Sequence, residues 1–272
     1  MQFKRFSEAD LLIYISIKKV ISLLYLLLKL KRKKTYLLII VIFFSSLGFI
    51  FCSNYMLKLF FSKKIWAHKI NTVDRLNKAK TEFKGLELDV VFYNDSNYFD
   101  VNHPPTPSTN LSLKSYLSNH DKAISNQYWI DFKNLNNSNK KESSNHIIRL
   151  ISEYKIEKSK IIVESTEPLP LKQFSNNSLK TAYYLPSNLR KIDSNHLRTE
   201  LNRIQENITN HKPSYISSDY RNYLILKERF PKYKKLFWFT GYGSTNIFVA
   251  RFFLWNILLD DNVDVLLIPF NE

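Results

Sequence analysis

Between residues 65 and 269 the sequence alternates eight short runs rich in β-branched and aromatic residues with stretches of helical periodicity. This pattern points to parallel strands joined by crossover helices. The predicted strands are 65–71, 86–92, 128–135, 160–165, 179–185, 215–218, 236–240 and 263–269, and helical patterning is clearest at 73–83, 111–119, 144–154, 196–210 and 247–258. Eight such strands close a TIM-type (β/α)8 barrel, for which about 208 residues from Ile65 onward is near the lower size limit. An open doubly wound sheet fits the count almost as well, but no glycine-rich phosphate loop follows the first strand. The sequence ends two or three residues past its last strand signal, so an eighth helix is not expected after it. The Asn/Ser/Lys run at 134–145 reads as a loop.

Ahead of the barrel, residues 36–57 carry no charged side chain, enough apolar length to cross a bilayer core as a transmembrane helix. Lys31-Arg32-Lys33-Lys34 precedes it, so the positive-inside rule puts the N-terminus in the cytoplasm and the barrel outside it, against a weaker opposing signal from Lys58, Lys63 and Lys64. Residues 1–35 then form a cytoplasmic basic segment, its stretch 11–30 amphipathic and interrupted by Lys18 and Lys19. The barrel domain is expected at 65–272. Ten of the sixteen net positive charges fall in residues 1–64, beside the apolar span, where topology and anionic lipid explain them, so nucleic acid is not an expected partner. The one cysteine, Cys52, lies inside the span and forms no intramolecular disulfide.

Chemistry concentrates beside the first three strands. Glu87 and Asp89 are separated by Leu88, and Asp131 and Lys133 by Phe132, a spacing that turns each pair to one face of its strand. His68 lies toward the end of the first strand signal and His103 follows the second. Carboxylates that converge on one mouth repel one another unless a cation sits among them, and an all-oxygen donor set suits Mg²⁺ or Ca²⁺ rather than Zn²⁺. A lone histidine at a strand end is more often structural, and an acid pair is often a salt bridge to a neighbouring lysine. The combination of all six residues is rarer than its parts.

The order His68-Lys69-Ile70-Asn71, Gly85-Leu86-Glu87-Leu88-Asp89-Val90, Val101-Asn102-His103 and Trp129-Ile130-Asp131-Phe132-Lys133 resembles the phospholipase-C-like phosphodiesterase superfamily over residues 65–190. That group includes glycerophosphodiester phosphodiesterases and sphingomyelinases D. Locally, His103-Pro104-Pro105 and the opening His-x-x-Asn look most like the menorin branch. The resemblance implies a barrel phosphodiesterase in which Glu87, Asp89 and Asp131 hold one Mg²⁺ or Ca²⁺, His68 and His103 divide the acid and base roles, and Lys133 adds fixed positive charge. Its substrate would be a glycerophosphodiester or a phospholipid head group. Where typical members carry His-Arg-Gly and His-Asp, this sequence has His68-Lys69-Ile70 and His103-Pro104, and lysine does not grip phosphate bidentately as arginine does. Lys69 and Asn71 are candidate substrate contacts. Glu164, at the end of the fourth strand signal, is a candidate replacement for the lost aspartate or an added polar contact. Tyr183, Trp238 and Tyr242 are candidates to line the mouth, although aromatics at strand spacing are more often core. The alternative from another functional class is a catalytically inactive barrel that binds a phosphorylated or glycan ligand, or a partner protein, at the membrane surface.

Overall fold

The computed structural model describes residues 21–22, 25, 33–51, 53–240 and 247–270. Its eight parallel strands are β1 (Ile65–His68), β2 (Gly85–Tyr93), β4 (Gln127–Phe132), β5 (Ile161–Ser165), β6 (Lys180–Tyr184), β7 (Tyr215–Asp219), β8 (Lys235–Trp238) and β9 (Val263–Pro269). Each pairs with the next, and β9 pairs with β1, which also bridges β2 at Ala67 and Leu86, so the sheet closes on itself. The barrel expected from the sequence is therefore the one observed. One strand was not foreseen: β3 (Tyr98–Val101) returns antiparallel on β2, pairing Val90 with Val101 and Tyr93 with Tyr98.

The helices are α1 (Lys33–Phe51), α2 (Asn54–Phe61), α3 (Val73–Ala79), α4 (Leu113–Leu117), α5 (Lys140–Glu153), α6 (Pro168–Asn176), α7 (Ser194–His211), α8 (Tyr223–Arg229) and α9 (Ile247–Leu258). Local chemistry starts several of them: Thr72, Ser112 and Asp193 accept hydrogen bonds from first-turn amides, each satisfying a donor that has no helical partner. The expected loop at 134–145 is corrected, because α5 begins at Lys140. Its first turn buries only the small Ser143 and Ser144, which leaves no apolar period to read. Helices α6 and α8 were also missed, the first because its apolar positions are interspersed with prolines and the second because it is only seven residues long.

Two shells of side chains hold the barrel. Inside it, Trp66, Trp129, Ile162, Ala182, Leu236, Val265 and Leu267 form the filling below the mouth. Gly85 makes room for this layer, since a Cβ there would stand 2.0 Å from the Trp66 ring. Between strands and helices runs the larger core, whose fully buried members include Leu86, Leu88, Ile130, Phe174 and Phe237. Burying side chains of this size stabilises by roughly 1.5–3 kcal/mol each.

The chain divides into two units between Ser53 and Asn54. Within the second, α2 covers the place between the last and first strands. Leu57 is fully buried, Phe60 and Phe61 pack on Trp255 of α9, and Lys58 pairs with Glu82 and lies over Phe83 beyond α3. Among the described residues no helix is long and apolar enough to cross a membrane. The span expected at 36–57 includes Cys52, outside the described residues, as do most of the expected amphipathic stretch at 11–30 and Tyr242.

Candidate active site

Strand parity builds the site. Ala67, Leu86, Leu88 and Ile130 face the outer core, so His68, Glu87, Asp89 and Asp131 point into the barrel mouth at the carboxyl ends of their strands. Register then aligns them, with Asp89 opposite Asp131 and Asp131 opposite Glu164 on adjacent strands. These residues line an open pocket of about 470 Å³ together with Lys69, His103, Lys133 and Trp238.

The acids are held from behind. Asn71 donates from Nδ2 to Asp89 Oδ2 at 2.6 Å and accepts the Asp89 amide at 2.9 Å. The backbone of Lys69 is left-handed, with φ of 58°, and its amide donates to Glu87 Oε2 at 2.6 Å. A non-glycine residue in that region is strained by about 1–3 kcal/mol, and here the turn aims an amide at a buried carboxylate. The loop carrying His103 is pinned where the Asn102 amide meets Asp89 O at 3.1 Å and the Thr106 amide meets His103 O at 3.0 Å.

Charge balance in the pocket is strongly negative. Lys133 Nζ lies 2.7 Å from Asp89 Oδ1 and also pairs with Asp131. Burial alone would lower its pKa, but the Asp131 and Asp89 carboxylates hold it well above the usual lysine range. Burial, then the charges of Asp89 and Asp131, push the Glu87 carboxyl well above its ordinary value. Burial likewise raises Asp131, and burial with the Asp131 charge raises Glu164, whose Oε2 is buried without a hydrogen-bond partner. Burial lowers His68 to about 4, so its imidazole is neutral near pH 7, with Nε2 3.7 Å from Glu87 Oε2.

This donor set fits a divalent cation. Glu87, Asp89 and Asp131 each offer an oxygen within 4.8 Å of the others, and two of these carboxylates compete for one ammonium. Hard oxygen donors of this kind suit Mg²⁺ or Ca²⁺.

No protein family and no curated protein matches the chain by sequence. Solved structures do match by shape. A glycerophosphodiester phosphodiesterase from Parabacteroides distasonis superposes with a TM-score of 0.53 at 14% identity, covering 76% of this chain and 92% of that one. An Oleispira antarctica phosphodiesterase, solved with the product sn-glycerol-3-phosphate, gives 0.52 at 13% identity over 76% and 94%. The Thermotoga maritima glycerophosphodiester phosphodiesterase gives 0.50 at 14% identity over 75% and 92%. The fold is that of the glycerophosphodiester phosphodiesterases. At 13–14% identity the likeness is one of fold.

Two residues expected to touch substrate stand elsewhere. Asn71 is behind Asp89 rather than in the pocket wall. Tyr183 points outward, its hydroxyl accepting from Asn207 of α7 at 3.0 Å, and Tyr184 takes the pocket position, stacked on Trp238 at 4.8 Å between ring centroids. Trp129, Thr240 and Leu267 also line the pocket and were not foreseen. Trp129 was legible in principle, lying two residues before Asp131 on the same face. Thr240 lies two residues beyond β8, and Leu267 stands inside β9, in an apolar run whose inward parity only the register reveals.

Proposed function

We propose that the protein is a divalent-metal-dependent phosphodiesterase, anchored to a membrane by the helix ahead of its barrel, acting on a glycerophosphodiester or a phospholipid head group. The observation that carries this reading is the convergence of Glu87, Asp89 and Asp131 beside His68 and His103 in the mouth of this particular barrel. The Oleispira neighbour, solved with a glycerol phosphate product, supports the substrate class. The anchor is supported by α1, where Leu37, Leu38 and Ile42 are 63%, 59% and 56% exposed and no charge falls between Lys34 and Lys58. An exposed apolar surface of that kind marks a membrane or protein contact.

A divalent ion held by Glu87, Asp89 and Asp131 would neutralise negative charge growing on the non-bridging phosphate oxygens. His68, neutral through burial, takes the proton of the attacking hydroxyl, and His103 returns one to the leaving alkoxide. Lys133 adds positive charge, and the Tyr184 and Trp238 rings offer a flat wall to the alcohol portion. Lys69 at the rim makes a single-point contact with phosphate.

Calorimetric titration of Mg²⁺ and Ca²⁺ into the full chain tests the metal site, with binding expected to be lost in Glu87→Ala and Asp89→Ala. Turnover of glycerophosphodiesters and lysophospholipids is expected to fall by about 100-fold or more in His68→Ala and His103→Ala while metal binding persists. Metal binding retained in both acid variants, or turnover unchanged in both histidine variants, overturns the assignment.

A further inference from the structure

The barrel unit receives the preceding chain at a defined end. Strand β8 finishes at Trp238 in the pocket wall, so α9, which follows it, starts at the catalytic end and descends to Leu258 before β9 begins at the opposite end. Helix α2 runs beside α9 in the same direction. Asn54 Oδ1 accepts from Arg251 Nη1 at 2.6 Å, Phe61 meets Trp255 with ring centroids 5.2 Å apart, and Lys64 Nζ donates to the Leu258 and Asp260 carbonyls at 2.9 and 2.8 Å. Residue numbers rise together along both partners, so the Asn54 end of α2 points toward the catalytic end and Lys64 lies at the base. An apolar helix ending at residue 51 precedes Asn54 by three Cα steps, about 11 Å at full extension, so the barrel is tethered from the catalytic side of α2.

A second observation lies on the same end. Strand β2 continues past Val90, where its pairing with β4 stops, to a hairpin tip at which Tyr93 and Tyr98 stack with centroids 6.4 Å apart. Tyr93 is 46% exposed. Tyrosine, with an apolar ring and a polar tip, is enriched where bilayer meets water.

We propose that the catalytic end of the barrel faces the lipid surface, with the Tyr93–Tyr98 hairpin at the interface and the pocket opening toward membrane-borne head groups. This rests on the anchoring part of the proposed function and is independent of catalysis. A barrel tethered at its base would present the pocket to bulk solvent instead.

The test uses the full chain with Cys52→Ser, reconstituted in phosphatidylcholine vesicles that contain lipid with a head-group nitroxide. A fluorophore is attached through Asp95→Cys at the hairpin tip or through Lys232→Cys in the turn before β8, at the base. Quenching is expected to be several-fold stronger for the Asp95→Cys label. Equal or reversed quenching in protein that floats with the vesicles overturns the orientation and leaves the anchor standing. Protein that does not float overturns the anchor, and this inference with it.

Discussion

Lys133 is the residue on which the electrostatics of the pocket turn. Its ammonium spans Asp89 and Asp131, and Glu87 and Glu164 have no cation of their own in the pocket wall other than the rim residue Lys69. Burial, which outweighs the pull of Lys133 on Asp131, leaves Glu87 and Asp131 holding protons above the pH at which exposed carboxylates, with pKa near 4, have lost them. A metal ion needs both groups ionised, so binding must expel protons. The sign follows: apparent affinity for Mg²⁺ or Ca²⁺ falls as pH drops toward the ordinary carboxylate range and rises with pH above it. Calorimetry in two buffers of different ionisation enthalpy should show proton release on binding. Identical heats in the two would remove the claim that these carboxyls are raised.

Strand β2 supplies most of the site, and its two faces do separate jobs. Leu86 and Leu88 lock it to the outer core while Glu87 and Asp89 project inward, with Gly85 yielding space to Trp66 one layer below. Gly85→Ala would drive a methyl group into that ring, and overpacking of this kind costs about 1–3 kcal/mol. Urea unfolding should show the loss in midpoint. A variant as stable as the parent would mean that Trp66 moves freely, contrary to the filled interior. The E-x-D spacing on β2 and the D-x-K spacing on β4 were legible because alternation puts both members of each pair on one face whatever the neighbours do. The adjacent tyrosines of β6 were not, since either could face inward. Pairing of Glu164 with Ala182 and Ser165 with Tyr183 decides that Tyr184 points in.

At the scale of the molecule, the barrel's core includes a helix that precedes the first strand. With Leu57 fully buried and Phe61 against Trp255, α2 shields the region where β9 meets β1, and its Asn54 end points toward the catalytic side. Leu57→Ala is expected to cost about 2–5 kcal/mol, as for other buried leucines. Leu59→Ala, on the exposed side of the same helix, should stay within about 0.5 kcal/mol. Thermal melts of the two variants check this, and equal losses would show that α2 is not part of the barrel's cooperative unit.

The sequence by itself determined the eight barrel strands, their parallel alternation and the placing of the acids and histidines beside the first of them, because periodicity and short spacings are properties of neighbours along the chain. Asn71 as the support behind Asp89, Tyr184 in place of Tyr183, the β3 hairpin and the direction of α2 beside α9 depend on which strands and helices lie side by side. Those relations join residues up to about two hundred positions apart, and only packing in three dimensions brings such residues into contact.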